Sequence, residues 1–320
     1  MNRLLLASAA IASAALLALP SVAEVPKSTR HHRLAVKSAP SPSRAAQARD
    51  WSAASRNLGN SVVAIATPAK DDPAALPNHR CTGVLISRQH VLASGYCVSN
   101  GDDEAATLAA AEFEVYVGWR IDAASKPVKV AAVMRHPDYD PLTFRSDLVV
   151  LKLANPLPQG VEPLAITTDA EAEWKPSANV GWMKDDSGEK QALMRMSVPP
   201  VKHDRCEAVL REQRLQTAQG NFVGLASDMM VPPDAALAAW KTLTKSMPSL
   251  LGKDMLCAGP VDGMPCDADS GSLLLTMPAS GQPQIIGVFS NLPVCETPGI
   301  PAVYTRAAPY AAWINDMVKK

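Results

Sequence analysis

The feature that most constrains this chain is a succession of short apolar runs, rich in Val, Ile and Leu, that starts near Ser61. Pro, Gly and Asp punctuate them. The first series is Val62–Ala66, Thr82–Ile86, Val91–Ala93, Phe113–Trp119, Val128–Met134 and Leu148–Leu153. A second follows at Val180–Met183, Ala192–Val198, Ser272–Thr276, Ile285–Phe289 and Ala302–Thr305. Many short strands separated by turn signals specify an all-β sandwich or barrel. The end of the chain has a different period. Tyr310, Trp313, Ile314 and Met317 form one stripe of an amphipathic helix that docks on the body, closed by Lys319-Lys320.

One stretch, near 214–253, breaks the strand rhythm. It contains Gly220-Asn221, read as a turn, then Met229-Met230, Pro232-Pro233 and an Ala-rich run. Asp234 is expected to cap a short helix reaching about Thr244.

The amino terminus speaks to compartment. Arg3 precedes an Ala/Leu/Ile run from Leu4 to Leu19, and Ser21-Val22-Ala23 offers small residues for cleavage before Glu24. This reads as a signal peptide over 1–23, whose apolar run is too short for a membrane span and is followed by Pro20. Residues 24–55 read as a flexible, locally basic leader in which His31-His32 is a solvated pair. A secreted or periplasmic location follows, and six cysteines suit such an oxidising compartment. Their spacing alone leaves the pairing open, and no C-x-x-C marks a zinc site. No metal or other cofactor is expected. Lys+Arg and Asp+Glu both number 31, which gives no basic face for nucleic acid.

Three segments carry residues suited to nucleophilic chemistry. They are C-T-G-V-L-I-S-R-Q-H-V-L-A-S-G-Y-C from Cys81 to Cys97, H-P-D-Y-D-P-L-T-F-R-S-D-L from His136, and M-L-C-A-G-P-V-D-G-M-P-C-D-A-D-S-G-S from Met255. A hydrolase of this kind needs a hydroxyl, a base to take its proton, an acid to orient the base, and N–H groups facing the oxyanion. D-S-G alone, or an Asp before an apolar strand alone, is a weak signal.

Their order is the stronger one. Together with Gly181-Trp182 and Val303-Tyr304-Thr305, the segments resemble the chymotrypsin/trypsin family of serine proteases from about Ser61 to the C-terminus. The resemblance implies two six-stranded antiparallel β-barrels with a C-terminal α-helix, over residues 56–320. It places Asp147 on the triad aspartate, Ser270 on the nucleophile, and Ala268 with Ser270 at the oxyanion hole. Met264, Ser290, Leu292 and Ala302 fall on the specificity pocket. The disulfides it implies are Cys81–Cys97, Cys206–Cys257 and Cys266–Cys295, with the 214–253 insertion inside the second loop.

The chain also departs from that pattern. Where the family carries its catalytic histidine, this sequence reads Ser94-Gly95-Tyr96-Cys97. A phenol with an ordinary pKa near 10 cannot cycle a proton at pH 7 as an imidazole does. Losing a triad member lowers rates by about 10⁴–10⁶ in well-studied proteases. His79, His90, His136 and His203 read as turn or surface residues. Ala268 replaces a glycine of the oxyanion loop, Met264 replaces the acid that trypsin uses for Lys/Arg, and Leu292 and Ala302 narrow the pocket. No Ile-Val-Gly-Gly follows Arg49-Asp50 or Arg56-Asn57 to supply an amine for Asp269. The sequence therefore predicts a protease homologue without ordinary activity that binds a protein or peptide through the cleft or the insertion. The alternative is a low-activity endopeptidase using Ser270 and Asp147. The Tyr96 hydroxyl, with that of Ser290, is expected to donate to Asp147.

Overall fold

A computed structural model describes residues 58–68, 77–100, 103–118, 121, 125–184, 191–245, 247–259, 270–278, 281–290 and 300–320. The expected signal peptide and leader, and Met264, Cys266, Ala268, Asp269, Leu292 and Cys295, lie outside the described residues.

The first half runs through β1 (Val62–Thr67), β2 (Asn78–Ser87) and β3 (His90–Ala93), then a small hairpin of β4 (Ser99–Asn100) and β5 (Asp103–Thr107). It continues through β6 (Glu114–Val117), β7 (Val128–Arg135) and β8 (Val149–Leu153). Strands in the order β1-β2-β3-β8-β7-β6 form a closed antiparallel barrel, because β6 returns to pair with β1. Both faces of β1 are buried. Val63 and Ile65 meet Leu85, Val91 and Leu151, whereas Val62 and Ala64 meet Val84, Leu92 and Val150. Successive side chains on a strand point to opposite faces. An unbroken apolar run such as Val62–Ala66 is therefore what a strand buried on both sides requires.

The second half comprises β9 (Ala165–Ile166), β10 (Ser177–Lys184), β11 (Gln191–Val198), β12 (Pro200–Val201), β13 (Met255–Ala258), β14 (Leu273–Thr276), β15 (Gln284–Phe289) and β16 (Ala302–Arg306). Its order is β11-β10-β14-β15-β16-β13-β12, with β9 parallel to β15. This is the second body of the expected chymotrypsin-like fold, a sheet curled into a half-barrel; among the described residues no ladder joins its two end strands. The ends, β11 and β12, are instead consecutive in the chain across Pro199-Pro200. Neither proline has an N–H to donate, which interrupts the run between the two strands, and the chain itself connects the two ends of the sheet.

The two halves share a core. Val62, Val84, Leu92 and Val150 of the barrel lie in one apolar cluster with Val180, Trp182, Leu273, Ile285 and Val288 of the curled sheet. Ile314 and Met317 enter the same cluster, with Tyr310 and Trp313 packed against it, so the predicted stripe docks as read.

Helices α1 (His203–Asp228) and α2 (Pro233–Thr244) precede the C-terminal α3 (Ala311–Val318). Gly220-Asn221, read as a turn, lies inside α1. Asp234 does not cap α2; it sits in the first turn, and Pro232 is the capping residue. Tertiary anchors explain how α1 runs through two glycines, since packing rather than propensity supplies most helix stability. Cys206 is bonded to Cys257, and the Glu207 carboxylate accepts from the backbone N–H groups of Leu250 and Leu251. Arg211 donates to the carbonyls of Thr244, Met247 and Pro248. Phe222 and Trp240 meet across the pair, with ring centroids 5.4 Å apart.

Candidate functional site

The aspartate is placed by its own loop. Phe144 and Ser146 adopt left-handed backbone conformations (φ 55° and 52°), and the Leu148 N–H donates to the Ser146 carbonyl at 2.7 Å across Asp147. Non-glycine residues in this region are strained and persist where surrounding contacts hold them. Here the Ser146 N–H donates to Asp254 Oδ2 at 3.2 Å, and the Tyr310 hydroxyl donates to the same oxygen at 2.7 Å while lying 2.9 Å from Ser146 Oγ. Burial, with hydrogen bonding to and the charge of Asp254, pushes the Tyr310 phenol up to about 12. It remains a donor across the ordinary pH range.

Asp147 is fully buried (0% exposed), so its carboxylate must find its partners inside the protein. Ser290 Oγ donates at 2.6 Å, and the Tyr96 backbone N–H donates at 2.8 Å. Ser94 Oγ lies 2.8 Å from both carboxylate oxygens, and the Gly95 N–H adds a further bond. Burial raises the carboxyl above the usual carboxylate range, and the Ser290, Tyr96, Ser94 and Gly95 donors each pull it back.

The Tyr96 hydroxyl is not among these donors, which corrects the sequence-based expectation. Tyr96 opens toward the second half instead. Its half-buried ring lies 6.5 Å from that of Phe144, against the cluster of Cys206, Leu210, Leu251 and Met255 at the foot of α1. The expected part for Ser290 does hold. Ser94 is the residue that sequence reasoning passed over. It caps the 3-10 turn Gly95–Val98, accepting from the Tyr96 N–H at 3.2 Å while its proton serves Asp147. A small hydroxyl two residues before Tyr96, ahead of a turn, was the available signal.

Ser270 is held at the seam between the two halves. Its carbonyl accepts from the Thr82 N–H at 3.0 Å and lies 3.7 Å from Cys97 Sγ. That sulfur is bonded to Cys81 and has no proton to donate, so the second distance is a packing contact. Gly271 follows at φ 85°, and a Cβ there would meet the Thr82 carbonyl oxygen at 2.1 Å. Glycine is required at this position on both counts. The Gly271 N–H donates to the Phe289 carbonyl at 3.0 Å, and the Phe289 N–H returns to that of Ser272 at 2.7 Å. Asp147, Tyr96 and Ser270 therefore all converge on the Gly95–Val98 turn. Among the described residues no hydrogen bond reaches Ser270 Oγ or the Tyr96 hydroxyl.

The histidines have other surroundings. His90 is buried at the far end of β3 from Ser94, with Nδ1 2.8 Å from Ser87 Oγ; burial first, then the Lys152 charge, lowers its pKa. His136 lies edge-on to Tyr310 and Trp313, at 5.0 and 4.8 Å, and accepts from the Asp138 N–H. Burial lowers its pKa, partly offset by Asp138 and Asp254. The His79 ring lies 6.4 Å from that of Trp182, and His203 begins α1. Of the expected pocket residues, Ser290 is buried and Ala302 begins β16, packed against the core of the curled sheet. Met264, Leu292, Ala268 and Cys266–Cys295 fall outside the described residues, while Cys81–Cys97 and Cys206–Cys257 are both formed.

Comparison with known proteins agrees with this geometry. Serine protease 56 of Mus musculus is 28% identical over 261 residues, 74% of this chain and 34% of that protein. Kallikrein-7 of Homo sapiens is 26% identical over 246 residues, 75% of this chain and 78% of its own length. The venom peptide isomerase heavy chain of Agelenopsis aperta is 23% identical over 248 residues, 74% and 87% respectively. The chain thus spans about a third of the length of Serine protease 56 but most of the smaller relatives. The model of the trypsin family matches residues 49–227 and 237–314, leaving the connection between α1 and α2 between its two blocks. That match covers most of the chain, including Tyr96, Asp147 and Ser270, and this chain belongs to the trypsin family.

Proposed function

We propose that this chain is a secreted trypsin-family homologue with little or no proteolytic activity, retained to bind a protein or peptide. One observation carries the reading. The buried carboxylate of Asp147 is already occupied by Ser94, Ser290 and two backbone N–H groups, and the sequence resemblance puts Tyr96, a phenol, in the place of the general base that such a carboxylate would orient. A serine hydroxyl needs a neighbouring group of near-neutral pKa to take its proton. With no such group bonded to Ser270 Oγ among the described residues, the hydroxyl stays a weak nucleophile. The apolar run at Leu4–Leu19 and the cysteine pairs support a secreted or periplasmic location.

The test is a fluorophosphonate activity probe on the purified protein. Labelling is expected to stay at the level of Ser270→Ala. Tyr96→His alone is expected to remain without ordinary peptide turnover, because Ala268 and the missing Ile-Val-Gly-Gly amino terminus are unchanged. Labelling of the unmodified protein that vanishes in Ser270→Ala would establish the low-activity endopeptidase instead.

A further inference from the structure

We propose that the tip of the α1–α2 hairpin is a docking surface for a cationic, amphipathic protein segment. This holds whether or not the cleft is catalytic. The tip exposes a run of large apolar side chains: Leu225 (61%), Met229 (67%), Met230 (90%) and Val231 (37%). The interior of the same hairpin is conventionally packed. Ala226 and Ala236 are buried, and Phe222 meets Trp240. The tip is therefore a surface distinct from the seam that holds the helices together, and contiguous exposed apolar patches mark interaction sites.

Met230 is the sharpest point. It follows the end of α1 at φ 60°, with the Val231 N–H donating to the Ala226 carbonyl at 2.8 Å and the Met230 N–H to that of Ser227 at 2.9 Å. This is the closing geometry in which helices strongly favour glycine, because a Cβ is strained there. The strain is not repaid within the chain, since the Met230 side chain is almost wholly in water. A residue that costs its own fold stability and packs on nothing is placed for something outside the fold. Methionine suits such a role because its flexible thioether adapts to irregular apolar surfaces. Met229, Met230 and Val231 also fall at 228–236, between the two blocks that the trypsin-family model matches.

Charge selects the occupant. Between Arg214 and Lys241 the sequence carries Asp228 and Asp234 and no Lys or Arg. A second copy docked tip to tip would bring like charges to the contact, and an anionic bilayer would do the same. A segment that offers apolar side chains beside Lys or Arg is complementary on both counts. The support is firm, because Cys206–Cys257, Glu207 and Arg211 pin the other end of the hairpin. Little ordering of the hairpin is then needed on binding.

The test titrates the full chain with a fluorescent helical peptide of Leu and Lys, and with its Leu/Glu counterpart, by anisotropy. The Leu/Lys peptide is expected to bind and the Leu/Glu peptide to fail. Met230→Gly is expected to raise the thermal midpoint of the protein while weakening the Leu/Lys peptide about tenfold. Asp228→Asn with Asp234→Asn is expected to weaken binding and flatten its salt dependence. A Met230→Gly protein that is less stable, or that binds the peptide as before, overturns the proposal. So does equal binding of both peptides. Self-association abolished by Met230→Gly would assign the tip to a second copy, and recruitment to phosphatidylcholine vesicles would assign it to lipid; either result also overturns it.

Discussion

Replacing Ser94 by alanine is expected to lower the unfolding free energy by about 1.5–3 kcal/mol once Asp147 is ionised, the range for hydrogen bonds to a charged group. Ser94 is 0% exposed, and its hydroxyl reaches both oxygens of a carboxylate that water cannot approach. The pH dependence has a definite sign. Asp147 has a folded pKa above the usual carboxylate range because burial outweighs its donors. Its contribution to stability is therefore fullest in acid and declines as pH rises from the ordinary carboxylate range through the folded value. Removing Ser94 removes a donor to the charged form and raises that value further. The loss in Ser94→Ala should accordingly be small in acid, where Asp147 is protonated, and grow to its full size once the carboxyl ionises. Urea unfolding across an acid-to-neutral pH series measures this. The Tyr96→His background gives the sharper test. An imidazole there can offer an N–H to Asp147, so Ser94→Ala should cost markedly less than in the parent protein. A loss independent of pH, and equal in both backgrounds, would show that Ser94 contributes packing rather than a proton.

Removing the Cys206–Cys257 bond by a double substitution to alanine is expected to lower stability by about 4 kcal/mol on chain-entropy grounds. The two cysteines are 51 residues apart, against 16 for Cys81–Cys97. The same relation gives about 3 kcal/mol for the shorter loop. The damage should also be uneven. Few side chains of α1 are buried (Cys206, Leu210 and Ala226), so its attachment depends on the bond and on the Glu207 and Arg211 contacts. Hydrogen exchange should show α1 and α2 losing protection first, while β1, β3 and β8 stay protected until global unfolding. Uniform loss of protection, or an unchanged unfolding midpoint, would contradict this.

The strand runs and the C-terminal stripe were legible because they are local. A strand buried on both faces needs a continuous apolar run, and a docked helix needs a 3.6-residue period. Asp147 and Ser270 were singled out only through a family order of segments, and the family is what the match shows. Helix α1 was not legible. Gly220-Asn221 resembles a turn, and the features that hold the helix together, Cys257, Leu250 and Trp240, lie far along the chain. The covalent closure of the second sheet was hidden for a related reason. Pro199-Pro200 marks a break in the ladder, but only the neighbours of β11 and β12 show what the break separates.

By itself the sequence determined the β-architecture, the order of the segments that build the cleft, and the residue types available there. The tertiary structure alone decided which hydroxyl serves Asp147. Tyr96 and Ser94 are both near neighbours in sequence, and either could donate on paper. The turn at Gly95–Val98 directs the phenol away toward Phe144 and turns the shorter serine inward, and the buried carboxylate takes the donor within its reach.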